Sequence, residues 1–580
     1  MRWTRTAPRA QGTPLQRVSW RGSVVRRALS TIVVVVVLAT ACAGDTADFG
    51  TVSVETAELS NALECSGSFV AHDLAHETRG PGTSETMFDG TGSGVAVADL
   101  DRDGLDDIVL PSLLGETSVL WNEGGLEFRR EALLQGRFRQ VSVVDIDGDT
   151  HRDIVLTTGV GRPVVFVGDG TSSVANFERI EIPGFDMLAY SLAWGDIGGD
   201  GDLDAVGASY NVELTSLRRL NLGNKGGTIV FENTNTDRLF DDGYEIERLA
   251  EDGQSLVVVL TDLNDDGSSD IYVGNDLATP DRIWHADDSG WVEVAPFTTT
   301  TYSTMSLDVA DFDNDGDREV FATDMRPMAN DAATRDAYIE VERDMAAAPR
   351  IDEIQQPENV LQIAGSDGYV NAATELGVQA TGWSWSGLFG DLDNDGWQDI
   401  YVANGMVADV LFSHLPDNTL VEANQAFRNV EGMTMVPAPE WGLADTAGGR
   451  GMAMADFDRD GDLDIVVNNV NDPARIHENQ LCDIGAAIEV SLQWTNTANI
   501  DAIGSQVSVI AADGTRMNRS IDVARGYLSG SPASAFIGVG DLAGPFDIEV
   551  RWPDGWVSRT TDMSADSAIE LGRDANVVTS

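Results

Sequence analysis

Aspartates recur along this chain in a nine-residue pattern whose spacing suits the wrapping of a cation by oxygen atoms. The clearest copies are Asp99-Leu-Asp101-Arg-Asp103-Gly104-Leu-Asp106-Asp107, Asp391-Leu-Asp393-Asn-Asp395-Gly396-Trp-Gln-Asp399 and Asp456-Phe-Asp458-Arg-Asp460-Gly461-Asp-Leu-Asp464. A fourth copy carries Asp262, Asn264, Asp266 and Asp270 around Gly267, and a fifth carries Asp311, Asp313, Asp315 and Glu319 around Gly316. Two copies are degraded. Asp145, Asp147, Asp149 and Asp153 have Thr150 in place of the glycine, and Asp196, Asp200 and Asp204 have Gly198 where the second carboxylate should stand.

Calcium takes about six to eight oxygens in flexible geometry, so alternate carboxylates at positions one, three and five converge on it if the chain turns sharply. Glycine at six permits that turn, position seven offers a backbone carbonyl, and the acid at nine closes the site. Without a cation these carboxylates repel one another and raise each other's pKa. A set of solvated acidic turns is the competing reading, which one copy would leave open and five near-complete copies disfavour. Magnesium fits less well because it resists dehydration. The expectation is several calcium ions, up to seven.

The flanks exclude an EF-hand, which needs helices and a glutamate at position twelve. That position holds Leu110, Leu156, Gly207, Val273, Ala322, Val402 and Val467. Short β-branched runs flank the loops instead, such as Val95-Ala-Val97-Ala before the first and Ile108-Val-Leu110 after it, so each loop joins two strands. Loop starts at 99, 145, 196, 262, 311, 391 and 456 are 46 to 80 residues apart. The shorter intervals match a four-stranded propeller blade of roughly 40–50 residues. Longer ones imply insertions, notably Asp324–Pro357 with its helix-compatible stretch 335–343. The fold class is therefore all-β: a seven-bladed β-propeller with calcium loops over 65–482, with an open solenoid as the competing architecture. A small β-sandwich or barrel-like domain follows over 483–575. Its strands show as alternation in Ala487–Trp494, Gln506–Ile510 and Phe546–Trp552, with Pro553-Asp554-Gly555 as a turn.

Charge narrows the partners. Lys+Arg number 37 against 95 Asp+Glu, a net −58, which argues against nucleic acid and against anionic lipid surfaces. Three cysteines exclude a disulfide-rich scaffold or a multi-cysteine zinc framework. Seven arginines and no acid precede Cys42, with an apolar run from Ala28 to Ala39, which reads as an export signal over 1–41. The run is too short for a bilayer span of about 20 residues. Ala39-Thr40-Ala41-Cys42 resembles a bacterial lipoprotein box that would lipidate Cys42, although Ala39 stands where leucine is usual. The expected destinations are a lipoprotein of the cell envelope or a secreted protein. Residues 42–64 are small and polar and read as a flexible tether.

The loops resemble the FG-GAP/VCBS-type calcium loops of integrin-α-like propellers. Tyr272-Val-Gly-Asn275-Asp276 and Tyr401-Val-Ala-Asn404-Gly405 extend the likeness to the cartilage acidic protein (ASPIC/UnbV) family. So do Ile503-Gly504-Ser-Gln-Val507, Gly526-Tyr527-Leu528-Ser529 and Val550-Arg-Trp552-Pro-Asp554-Gly555 towards the C-terminus. The resemblance implies an exported protein with calcium loops and leaves the biochemical task open. Gly526–Ser529 reads either as a recognition loop or as a structural turn. If the N-terminal segment completes the last blade, Cys65 and Cys482 become neighbours, and an oxidising compartment would let them form a disulfide that pins the ring.

Catalytic constellations were sought among the residues. The histidines are scattered, and only His72 and His76 are spaced to share a metal on a helix, without the glutamate of a metalloprotease motif. No nucleophile elbow or phosphate-cradling loop occurs. Trp383 and Trp385 alternate as on a strand, in the blade core or with one facing a ligand. Two function classes follow: a calcium-bearing binding or adhesion module that docks a protein or glycan, or an envelope enzyme using the propeller's central pocket. No catalytic residue is assigned.

Overall fold

The structure is a computed structural model that describes residues 49–59, 65–80, 90–159, 161–182, 184–185, 187–211, 226–233, 244–277, 279–287, 290–328, 354–365, 368–405, 422–482 and 484–575. The export segment 1–41, Cys42 and the stretch 335–343 lie outside the described residues.

Val- and Ile-rich runs next to each aspartate loop form strands buried on both faces, as in Asp107–Leu110, Asp153–Leu156 and Asp270–Asn275. Each pairs antiparallel with the strand before its loop: Ala96–Ala98, Val141–Val144 and Ser255–Thr261 in these three cases. Two further strands complete each sheet outward, and the outermost are half-exposed, as in Tyr244–Ala250. Among the described residues seven sheets follow this plan, one of them with Met325–Arg326 added beside Gly382–Gly390, and every aspartate loop joins two adjacent strands of one sheet.

The first strands pack side by side in a closed circuit. Ala96–Ala98 of the first sheet touches both Val141–Val144 of the second and Gly449–Ala455 of the last. An open solenoid would leave its two ends apart. Closure comes from the N-terminal side: Val70–Glu77 is the fourth strand of the last sheet, paired with Pro473–Glu478. Across that seam His72 Nε2 lies 2.6 Å from Glu478 Oε2, and Cys65 is disulfide-bonded to Cys482 with Cα atoms 5.2 Å apart. His72 and His76 thus stand on a strand and not on a helix. His76 is buried and bonds to Ser118 and Thr78 instead of to a shared metal.

Two further four-stranded sheets lie beyond the ring. One orders Arg516–Ser520, Gln506–Ile510, Phe546–Arg551 and Val557–Met563. The other orders Ser53–Glu58, Ser567–Asp574, Ala486–Thr495 and Ser534–Gly540. They enclose one core that includes Ile488, Val507, Ile537, Ile548 and Trp552. Ser53–Glu58 corrects the expected tether over 42–64. Val52 and Val54 pack on that core while the segment pairs along Ser567–Asp574, so an exposed sheet edge is covered.

The disulfide joins residues 417 apart in sequence, so it restricts the unfolded chain strongly. Cys65→Ser, or reduction, should lower the unfolding free energy by roughly 2–5 kcal/mol. Urea melts of oxidised and reduced protein measure this, and coincident curves would contradict it.

Candidate metal centres

Each loop is shaped by its own carboxylates. In four loops the position-one side chain accepts from the amides of positions five and six, as Asp99 does from Asp103 and Gly104 at 3.1 and 2.9 Å, whereas Asp145 accepts from Gly148 and Thr150 at 2.8 Å each and Asp391 from Gly396 at 2.9 Å. The position-five side chain accepts from the amide of position seven, as Asp149 does from His151 at 2.8 Å and Asp395 from Trp397 at 3.0 Å. Position six turns through positive φ, 87° at Gly104 and 97° at Gly396, where glycine carries no strain. Thr150 holds φ 78° in the degraded loop, so that loop keeps the turn without the glycine.

Position nine does something the spacing alone does not announce. Its carboxylate is buried and staples the loop at two places. Asp107 accepts from Leu100 N–H at 3.2 Å and from Asn122 N–H, on the third strand, at 2.7 Å. Asp399 and Asp464 repeat this with Leu392 and Asn429, and with Phe457 and Asn479. Asp153, Asp204 and Asp270 do the same, whereas Glu319 keeps only the Phe312 amide. Burial, reinforced by neighbouring carboxylates, pushes Asp107, Asp153 and Asp204 up to about 8 and Glu319 up to about 9. Asp399 and Asp464 are held well above the usual carboxylate range, and Asp270 is pushed up to about 6, in each case chiefly by burial.

Carboxylate oxygens converge to within 4.8 Å of one another in five loops. The groups are Asp99, Asp101 and Asp107; Asp145, Asp147 and Asp153; Asp391, Asp393 and Asp399; Asp311, Asp313 and Asp315; and Asp456, Asp458 and Asp460. Asp103, Asp149, Asp395, Glu319 and Asp464 stand in the same loops but outside these groups. The loop of Asp145–Asp153 thus keeps its convergence despite Thr150. Asp196, Asp200 and Asp204 form no such group, as Gly198 leads one to expect. In the loop Asp262–Asp270, Asn264 donates to Asp266 at 2.9 Å and sits 3.3 Å from His285 Nδ1.

The residues present fit calcium. Every donor is an oxygen, and one oxygen each of Asp101, Asp311, Glu319, Asp391, Asp393 and Asp460 is buried with no hydrogen-bond donor. A bound cation would supply the missing partner and offset the mutual repulsion. Arg428 already reaches one of these sites, with Nε 2.8 Å from Asp393 Oδ2.

Neighbouring loops are tied by asparagines that sequence reasoning did not single out. Asn122 Nδ2 donates to Phe457 O at 2.8 Å, joining first sheet to last. Asn429 reaches Phe312 O at 2.9 Å, and Asn479 reaches Leu392 O at 2.8 Å, each on the preceding loop. A signal existed: Leu120-Trp-Asn122, Phe427-Arg-Asn429 and His477-Glu-Asn479 share one pattern at the end of a third strand.

The C-terminal sheets dock on this same loop face. Gly201 O accepts from the amides of Ala498 and Asn499, at 3.0 and 3.1 Å. Asn518 donates to Asp311 at 2.7 Å, Arg152 pairs with Asp501 at 2.6 Å, and Arg525 holds Asp308 through two bonds of 2.7 and 2.6 Å. Between ring and docked sheets lies a cavity of about 320 Å³, bordered by Asp311, Asp391 and Asp456 and by Arg516, Arg519 and Arg525.

Gly526–Ser529 enters the ring axis. Gly526 bonds to Leu307 O, Tyr527 Oη lies 3.0 Å from Tyr190 Oη and from Thr91 O, and the Tyr527 ring meets Trp385 edge-on at 5.1 Å. Only a segment on the axis can touch first-strand regions from so many sheets. Trp383 and Trp385 are both buried, and the Trp385 ring packs under Arg450 at 4.3 Å.

Asn429→Ala should cost about 1–3 kcal/mol, because it removes the donor from two buried carbonyls, Phe312 O and Gln398 O. Urea unfolding measures it, and a change below a few tenths would contradict the tie.

Comparisons with known proteins agree with this geometry. The ASPIC and UnbV family model matches residues 495–577. The FG-GAP-like repeat model matches 145–207, 262–322 and 407–467, which hold five of the seven aspartate loops. Cartilage acidic protein 1 of Xenopus tropicalis is 25% identical over 305 residues, covering 50% of this chain and 41% of that protein. This chain therefore spans under half the length of that relative. Two crystal structures of BBS1N in complex with ARL6DN, soaked with mercury and with lead, have TM-scores of 0.38 and 0.39 at 8% identity. Each covers 71% of this chain and 97% or 98% of its own. Residues 145–207, 262–322 and 407–467 are thus similar to FG-GAP-like repeats, and residues 495–577 to the ASPIC and UnbV family.

Proposed function

We propose that this protein is an exported, calcium-binding β-propeller of seven blades over 65–482 with a β-sandwich domain over 483–575. It serves as a binding or adhesion module at the cell envelope or outside the cell. Residues 1–41 direct export, Cys42 accepts the lipid if the protein is anchored, and the partner is a protein or a glycan. The observation that carries this reading is the set of five converging carboxylate groups, three of them inside the FG-GAP-like matches, on the face that seats the C-terminal module. No helix among the described residues is long and apolar enough to cross a membrane.

Calcium's task in this reading is structural. When bound, it supplies charge neutralisation. The chain's own residues then do the rest: the loops hold the first two strands of each sheet, and their outer face receives Ala498, Asn499 and Asn518. The alternative, an envelope enzyme working in the central pocket, must contend with Tyr527, Tyr190 and Trp385, which occupy the axis.

Ions bound only by the folded state stabilise it by about 2.7 kcal/mol each at a hundredfold excess over Kd. Thermal melts in calcium and in EGTA should therefore differ by many degrees, and a melt unmoved by EGTA would contradict the reading. Pull-down from envelope extracts with calcium, against the same with chelator, tests the binding role. Loss of every captured protein and glycan under both conditions alike would count against it.

A further inference from the structure

Position seven of the loop pattern is expected to offer only its backbone carbonyl, and most loops place there a side chain unsuited to more. Leu105, His151, Ser268 and Trp397 occupy it in four loops, and Asp317 in a fifth is exposed. Asp202 and Asp462 differ. They are 2% and 1% exposed, and neither oxygen of either carboxylate has a hydrogen-bond donor. Their charged neighbours are acids: Asp200, Asp204 and Asp196 around Asp202, and Asp464, Asp460, Asp456 and Asp458 around Asp462.

A buried carboxylate with neither donor nor counter-charge is costly, even after the surroundings relax. Something must answer it. A proton shared with Asp200, or with Asp460, would remove one charge in each loop and leave the remaining acids of the cluster facing one another. A cation answers all the oxygens at once.

We propose that the side-chain carboxylates of Asp202 and Asp462 are cation ligands in the loops Asp196–Asp204 and Asp456–Asp464. The proposal rests on the calcium reading above and adds to it ligands that the nine-residue pattern does not assign. In the first loop Asp202 takes over from the carboxylate missing at Gly198, restoring four acids to the site. No three acids of that loop bring ligand oxygens within 4.8 Å of one another, so the cation would draw them closer. Tyr244 Oη, also buried without a partner and in the field of Asp202 and Asp204, adds a neutral oxygen at the same place. In the second loop Asp462 adds to the converged Asp456, Asp458 and Asp460.

The test is calcium stoichiometry and affinity on the full chain, stripped with EGTA and reloaded, by native mass spectrometry and calorimetry. Asp202→Asn and Asp462→Asn mimic the protonated acid in shape. The proposal expects Asp202→Asn to lose one bound ion, and Asp462→Asn to weaken one site at least about tenfold. Asp317→Asn should change neither. If both Asn variants bind as wild type does, the two side chains are protonated spacers and the proposal fails. If Asp317→Asn has the same effect, charge alone explains the result, and the proposal fails again. Wild type that binds no calcium at all would overturn the calcium reading itself, a distinct result.

Should an Asn variant not fold, terbium-loaded wild type reports on the first loop directly. Trp494 lies against Gly201, so light that excites tryptophan and spares tyrosine should sensitise terbium bound there, and Trp494→Phe should lower that emission. Equal emission from the two proteins would leave the loop Asp196–Asp204 empty and overturn the proposal for it.

Discussion

Like charges brought together at the edges of a ring are the constraint around which the rest of this protein is arranged. Backbone amides answer these carboxylates: positions five and six serve the first in four loops, position seven serves the fifth, and the third strand serves the ninth in every loop but that of Glu319. These bonds fix the loop's shape, but they leave buried oxygens in five loops with no donor. Backbone dipoles lower the energy of such a cluster without cancelling its charge. A divalent cation does cancel it, and an all-oxygen cage is the environment calcium takes.

The loops are also the place where the molecule is joined to itself. Asn122, Asn429 and Asn479 carry hydrogen bonds from one loop to the preceding one, and the first of these crosses the closing seam. The C-terminal sheets sit on the same face and send Tyr527 into the axis. Ring, loops and module are therefore coupled through shared contacts. Whatever orders the loops also orders the surface on which the module rests, and the Cys65–Cys482 disulfide holds the seam by restricting the unfolded chain.

Much of this was legible in the sequence. The glycine at six and the alternating aspartates announced the loops, and the Val- and Ile-rich runs announced paired strands on either side. The distance of Cys65 from Cys482 in sequence said nothing by itself, and ring closure made their pairing readable. Other features were hidden for physical reasons. The staple role of Asp107, Asp399 and Asp464 depends on where the third strand passes, which local spacing cannot show. Ser53–Glu58 looked like a tether because its strand is supported by a partner more than 500 residues away. Tyr527 reads as an ordinary turn residue until the ring exists for it to enter. The inward turn of Asp202 and Asp462, against the outward turn of Asp317, is equally a property of packing.

The acidity divides accordingly. The seven loops hold 31 of the 95 acidic residues, so a third of the negative side chains is gathered in the loops and the rest is spread over the remaining chain. Hydrogen exchange of the full chain, read by mass spectrometry with calcium and after EGTA, tests the coupling most directly. The account predicts that calcium slows exchange in the aspartate loops and, together with them, in the facing segments around Ala498–Asp501 and Asn518–Arg525. Exchange unchanged in the loops, or slowed there while the facing segments stay as they were, would contradict it.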